Sequence, residues 1–425
     1  MEGTWYTRED LPWKALNDVN EVYDGNPTLV MGEALFYVCT LVAIWHAISC
    51  GKQHVLLMLA SVVTGTANDI FFMYMPFVDN FFHAQFTIML TPRLPLYIPC
   101  VYICFTYVSA ATAMRLKLPP LAQAAACALS GGLYYSVYDL FGQKFLWWTW
   151  HDTDAAIFER WLGVPFGSTM WTLVHCFCFY FVLHHVALKY KTLSNLRFFM
   201  SLIVSALITT PFMMLSMSPF QMQQLKFHFE PSFEIDQLPG RPDAIALGLA
   251  LVTFLALTLR GWSRRGDNTT YSWFDTNATR QDDFLLLVSA WLHFTSFAAM
   301  MLTCDPSTIV ATGVHQEYGD CDVKMVDLMG FVRNEYLCKE NYDEDFNFDC
   351  VEQVLPPENP EWFTVCGNPH KDFRTAALLE CSLSLLGVVL YTYCMWNIGP
   401  SWSDELKKSL ISRRKKSGRE PKGTW

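Results

Sequence analysis

Residues Leu29–Ile48 read LVMGEALFYVCTLVAIWHAI, twenty positions interrupted by a single acid, Glu33. At about 1.5 Å per residue a helix of this length spans roughly 30 Å, the thickness of a bilayer's hydrocarbon. Only helices and closed barrels can cross that layer, because every backbone polar group must be paired internally. Eight further stretches follow the same rule: Val55–Met75, Leu94–Met114, Leu121–Leu140, Phe166–Leu188, Phe198–Met217, Ala244–Leu259, Phe284–Leu302 and Thr375–Met395. The seventh, Ala244–Leu259, is the shortest.

Composition agrees. The 425 residues are 52% hydrophobic and 16% charged, against roughly 25% charged in soluble domains. That excludes a disordered chain and argues against an ordinary soluble enzyme. A net charge of −10 argues against a nucleic-acid binder, which needs a basic footprint. The fold class expected is all-α, a polytopic transmembrane helix bundle of about nine spans.

Orientation follows from the cytoplasmic bias of Lys and Arg. One side carries Lys52, Arg115, Lys117, Lys189, Lys191, Arg197, Arg260, Arg264, Arg265, Arg280 and the tail from Lys407 to Lys422, which together hold 18 of the 30 basic residues and only seven acids. The opposite side holds 12 basic and 29 acidic residues, and Glu33, Asp69, Asp139 and Glu380 fall inside spans. This places the N-terminus outside or in the lumen and the C-terminus in the cytoplasm. The acidic first residues do not resemble a cleaved signal. The sequons at Asn268 and Asn277 then lie on the cytoplasmic side and should stay unmodified.

The resulting division is an exoplasmic segment 1–28, an eight-span membrane domain 29–302, an acidic cysteine-rich exoplasmic loop 303–373, a ninth span 374–396 and a basic cytoplasmic tail 397–425. The loop has 15 acids against 4 bases and contains Cys304, Cys321, Cys338, Cys350 and Cys366. In an oxidising compartment these cysteines can staple a loop too small for its own core, with one thiol left over. Their spacings fit no zinc pattern, and a ligand-binding ectodomain is the alternative to a disulfide-braced cap.

A possible parallel repeat relates 55–114 to 121–188. Asp69 precedes Pro95 by 26 residues and Asp139 precedes Pro165 by 26, each interval being rich in aromatic residues. Such a repeat would bring two acids to similar depth in one bundle. Hydrocarbon disfavours an ionised carboxyl, so either could serve as a proton donor; either could equally lock two helices together.

The densest segment is Tyr138–Trp171, YDLFGQKFLWWTWHDTDAAIFERWLGVPFGSTMW. Its tryptophans suit an interfacial belt, and equally the walls that a developing carbocation requires. His151, Asp152, Asp154, Glu159 and Arg160 share the same short loop.

Asp139, Gly142, Trp148, Trp150, Gly163, Val164, Pro165 and Trp171 together resemble the carotenoid biosynthesis membrane proteins, the carotenoid hydratase family. Leu94-Pro-Leu-Tyr-Ile-Pro99 resembles that family's other helix start, and Asp69 would match its second acid. The likeness covers roughly residues 61–190; the remaining spans look more like a eukaryotic multi-pass membrane family built on the same core. What it implies is acid-initiated hydration or isomerisation of an isoprenoid or carotenoid-like lipid. Asp139 would be the acid, Asp69 or Asp152 the group orienting water, and Trp148, Trp150, Trp171, His151 and His175 the substrate contacts. Membrane lipids and an apolar lipid substrate are the partners expected, with no cofactor and no metal.

His175 and His184 stand about 13 Å apart along one helix, too far for one metal. His46 and His293 read as isolated helix-packing residues. No nucleotide loop, G-x-S-x-G elbow or HExxH motif occurs. A carrier for a small solute, or a receptor or scaffold acting through the exoplasmic loop, are the other classes kept open.

Overall fold

The computed structural model describes residues 14–75, 78–154, 157–190, 192–217, 242–264, 280–327, 332–338, 345–350 and 362–397. The sequons and the basic tail lie outside these residues.

A helix stands at each of the nine stretches read as spans. After a short helix α1 (Val19–Gly25) come α2 (Pro27–Cys50), α3 (Lys52–Tyr74), α4 (Tyr97–Arg115), α5 (Pro120–Lys144), α6 (Phe166–Leu188), α7 (Asn195–Met217), α8 (Pro242–Ser263), α9 (Arg280–Thr303) and α10 (Phe373–Thr392). Eight of the nine are long and apolar enough to cross a membrane, and α5 is the exception. It is built on small residues, Ala124, Ala125, Ala126, Ala128, Gly131 and Gly132, which let neighbouring backbones approach closely. A Cβ on Gly131 would stand 2.4 Å from Cys176 Sγ of α6. Helices α4, α6, α8, α9 and α10 all pack around α5, so it forms the centre of the bundle.

Local chemistry sets the ends. Asn26 caps α2, its side chain accepting from the Thr28 N–H at 3.2 Å, and Pro27 fills the first turn where no amide donor is needed. Gly51, at φ +100°, turns the chain directly from α2 into α3. Large apolar side chains on α7 (Leu196, Phe199, Leu207, Leu215), α8 (Leu249, Val252, Leu255) and α10 (Leu378, Leu385, Val389) are exposed, as lipid-facing positions should be.

One end of the bundle carries a cap made by three connections, 75–96, 145–165 and 304–372. Strand β1 (Phe81–His83) pairs antiparallel with β2 (Trp148–Trp150), placing Phe81 opposite Trp150 and His83 opposite Trp148. An Ala84–Gly313 bridge joins this ribbon to β5 (Val310–Val314), which lies in a sheet ordered β10 (Phe346–Asn347), β11 (Trp362–Gly367), β5. β3 (Arg160–Trp161) and β4 (Val164–Pro165) form a hairpin whose turn residues Leu162 and Gly163 both have positive φ, the type I′ pattern. The Gly-Val-Pro motif is therefore a hairpin leading into α6. Two further pairs of short strands are β6 (Tyr318–Gly319) with β9 (Leu337–Cys338), parallel, and β7 (Lys324–Val326) with β8 (Val332–Asn334), antiparallel.

Of the five loop cysteines, Cys321 pairs with Cys338 and Cys350 with Cys366, leaving Cys304 as a free thiol. Side chains anchor the cap to the bundle. Asn26 Nδ2 donates to Phe145 O at 2.7 Å and Trp147 Nε1 to Thr28 Oγ1 at 2.9 Å. Lys144 lies 3.4 Å from Asp345 and 3.3 Å from Asp372. Glu33 accepts from the Thr87 and Ile88 amides at 3.1 and 3.3 Å, so this span acid holds a cap loop.

Candidate functional site

Asp139 lies on a face of α5 shared with Tyr135, Tyr138 and Gly142, one helical repeat of i, i+3, i+4, i+7 spacing. Facing it is a similar row on α6: Ser168, Trp171 and His175. Ser168 Oγ donates to Asp139 Oδ2 at 2.7 Å, while Asp139 Oδ1 is buried without a hydrogen-bond partner. The other acid, Asp69 of α3, accepts from Tyr102 OH of α4 at 2.6 Å. Both aspartates are buried.

A chain of neighbouring aromatic rings links the two acids. Tyr102 stands 5.9 Å from His175, which stacks on Trp171 at 5.1 Å; Trp171 lies 6.3 Å from Tyr135, and Tyr135 5.1 Å from Tyr138. Tyr138 continues to Trp148 at 5.0 Å, and Trp148 to Trp150 at 6.2 Å. Gly142 is required where α5 passes Trp148, since a Cβ there would come within 2.3 Å of the indole. Gly65 of α3 opens the same kind of slot for Tyr102, at 2.0 Å.

Several buried polar atoms along this chain of rings have no hydrogen-bond partner. Besides Asp139 Oδ1, they include both ring nitrogens of His175 and the indole N–H groups of Trp148, Trp150 and Trp171, all buried. Native interiors leave few such atoms unpaired, so each of them calls for an explanation.

Asp69, Asp139, Trp148, Trp150, Trp171 and His175 are thus linked stepwise through one chain of side-chain contacts. Asp152 and His151 stand in the cap instead. Asp152 exchanges hydrogen bonds with Gln316, accepting from Nε2 at 2.8 Å and donating its amide to Oε1 at 2.9 Å. Burial pushes the Asp152 carboxyl up and holds the His151 imidazole well below its usual range, the latter assisted by Arg333 and Arg160.

Residues 10–395 match the family model described as a domain of unknown function, DUF7802. The chain belongs to that family. The match takes in nearly every described residue, from the capped start of α2 to the end of α10. No curated protein and no solved structure matches the chain, and no carotenoid hydratase-like family is found.

Several residues of this DUF7802 chain escaped the reading of its sequence. Tyr102, Tyr135 and Tyr138 are the polar-tipped rings nearest the acids, and the i, i+4 spacing of Tyr135 and Asp139 was the available signal. His83, opposite Trp148 in the ribbon and 6.0 Å from its ring, is buried. Burial, then the nearby Arg93 charge, push its imidazole down to about 3, so it is neutral at physiological pH.

His46 is not isolated. Its rings and atoms meet Cys50, Tyr107, Arg115 and Asp283, and it groups with His54. His293 does behave as a packing residue, stacking on Tyr134 at 3.7 Å and bonding the Tyr134 carbonyl at 3.0 Å.

Proposed function

We propose that the protein is a nine-span membrane enzyme acting on an apolar, unsaturated lipid of isoprenoid type by acid-initiated hydration or isomerisation. The observation that carries this reading is Asp139: a buried carboxyl with one oxygen engaged by Ser168 and the other unpartnered, against a wall of indole and phenol rings. In the proposed reaction the Asp139 carboxyl gives its proton to one carbon of a double bond, leaving a tertiary cation at the other. Ring faces of Trp148, Trp150 and Tyr138 stabilise that cation without trapping it. Water then adds to the cation and a proton returns to the Asp139 carboxylate, or loss of a neighbouring C–H proton completes an isomerisation. In this reading Asp69, or the neutral His83 beside Trp148, orients the water, since Asp152 is engaged with Gln316 in the cap.

Nine crossings suit the connectivity. Strands β1 and β2, which follow α3 and α5, pair with each other, so the ends of α3 and α5 share one side, which supports reading α5 as a further crossing that returns the chain after α4. The proposed orientation keeps the cap exoplasmic or luminal, where its two disulfides are stable, and the basic turns cytoplasmic.

The antiparallel β1–β2 ribbon and the pattern of an acid on each first helix bonded to a hydroxyl on the next, Asp69 to Tyr102 and Asp139 to Ser168, support a two-fold repeat of 55–114 and 121–188. Purified protein incubated with polyprenyl and polyene lipids should yield a product 18 mass units heavier, or an isomer. That product should vanish in Asp139→Asn at equal expression; unchanged turnover in that variant rejects the assignment.

A second reading, a proton- or cation-coupled carrier, draws on Glu380 of α10, fully buried with neither carboxylate oxygen hydrogen-bonded. Solute flux into liposomes, lost in Glu380→Gln, would favour it.

A further inference from the structure

At the pole opposite the cap, α2 ends and α3 begins around a second group of polar side chains. His46, Cys50 and His54 are spaced four residues apart, so His46 and Cys50 share a face of α2 one turn apart. Gly51, at φ +100°, folds the chain back and sets His54 in the first turn of α3 against the same face. All three are buried, and one potential ligand atom from each lies within 4.8 Å of the others.

We propose that His46, Cys50 and His54 bind one borderline-soft transition-metal ion, zinc or copper. Two imidazoles and a thiolate are ligands that both ions accept, at about 2.0–2.3 Å; small side-chain rotations close the remaining gaps. The surroundings supply what such a site needs. Tyr107 OH lies 2.6 Å from His46 Nδ1 and 3.2 Å from His54 Nδ1, on the side where both rings present these atoms, and is placed to give an oxygen as a fourth donor.

On the far side of the ring, His46 Nε2 lies 3.1 Å from Asp283 Oδ1 of α9. A metal-binding histidine whose other ring nitrogen meets a carboxylate is the usual outer-shell arrangement; here Arg115 Nη2 also lies 3.2 Å from that nitrogen. Arg115 of α4 pairs with Asp283, so its charge is already offset. Cys50 as thiolate would balance one charge of a divalent ion. Bound there, the ion would tie the α2–α3 turn to α4 and α9.

The full-length protein, purified in detergent without chelator, is expected to carry about one equivalent of zinc or copper by elemental analysis, which also tells the two apart. After chelation, Co(II) titration should produce thiolate-to-cobalt charge-transfer absorption and tetrahedral d–d bands. Cys50→Ser should abolish the charge-transfer band, and His54→Gln should weaken Co(II) binding at least tenfold. Cys394→Ser, at a cysteine outside the group, should change neither. Substoichiometric metal together with no thiolate–cobalt band in the folded wild-type protein would overturn the proposal, and so would a band that survives in Cys50→Ser. The wild-type titration decides the matter even where a variant fails to fold.

Discussion

Ser168 donates its hydroxyl to Asp139 across the α5–α6 contact at 2.7 Å, and this is the hydrogen bond that holds the acid's orientation in the bundle. Asn at position 139 would keep an oxygen to accept it. Asp139→Asn should therefore melt within about 1 kcal/mol of wild type while losing lipid conversion. Ser168→Ala, which strands a buried carboxyl, should cost about 1–3 kcal/mol. Thermal melts in detergent, run beside the lipid assay, separate the two effects.

Gly142→Ala places a methyl group against the Trp148 indole. The ring must leave its slot or α5 must shift, at an expected cost of about 1–3 kcal/mol. A melting temperature unchanged from wild type would show that the helix does not pass the indole as closely as described.

The cap should weaken on mild acidification. Burial, and then the charge of Arg93, push His83 and His315 down to about 3, whereas an unfolded histidine titrates near 6.5. Between those values the unfolded chain binds protons that the folded cap does not. Stability is full above about pH 6.5 and falls as pH drops toward 3, by at most about 1.4 kcal/mol per unit for each histidine.

A separate loss follows at lower pH from Asp345. Burial alone would raise this carboxyl, but the His370 hydrogen bond and the Lys144 charge outweigh it and hold it at about 2. Its contribution is therefore complete above about pH 4 and disappears as pH falls through 2. Hydrogen exchange of cap peptides at pH 7 and pH 5 tests the histidine effect, and the double variant His83→Gln, His315→Gln should reduce the difference, leaving the share of His151, whose imidazole burial also holds down.

An impermeant maleimide added to sealed, right-side-out vesicles should label Cys304, the free and partly exposed thiol at the base of the cap. Labelling should disappear in Cys304→Ser. Label reaching Cys304 only after permeabilisation would invert the proposed orientation.

Cys350→Ser opens a closure spanning 16 residues, at an expected cost of about 2–4 kcal/mol. Because β10 and β11 would lose their tether while the helices keep their own contacts, protease should cut the cap first and leave the bundle intact.

Helix positions were legible in the residues themselves. The nine stretches from Leu29 to Met395 all carry helices, because a long apolar run in lipid has one way to pair its backbone. Asp69, Asp139 and the tryptophans of 147–171 also stood out, since charge in such runs is costly. The pairings were another matter. That Cys321 selects Cys338, that Asp152 turns to Gln316 in the cap, and that Asp139 meets Ser168 depend on which loops and helix faces pack together.

His46 shows the boundary most clearly. As a sequence position it is one imidazole in an apolar run. Gly51 then reverses the chain and brings His54 beside it, and α4 and α9 deliver Tyr107, Arg115 and Asp283 from as far as 237 residues away. Hydropathy is a property of each segment and can be summed along the chain, so the sequence by itself determined where the long apolar helices lie. Side-chain neighbourhoods across helices arise from packing many segments at once, so only the tertiary structure decided which groups became a site.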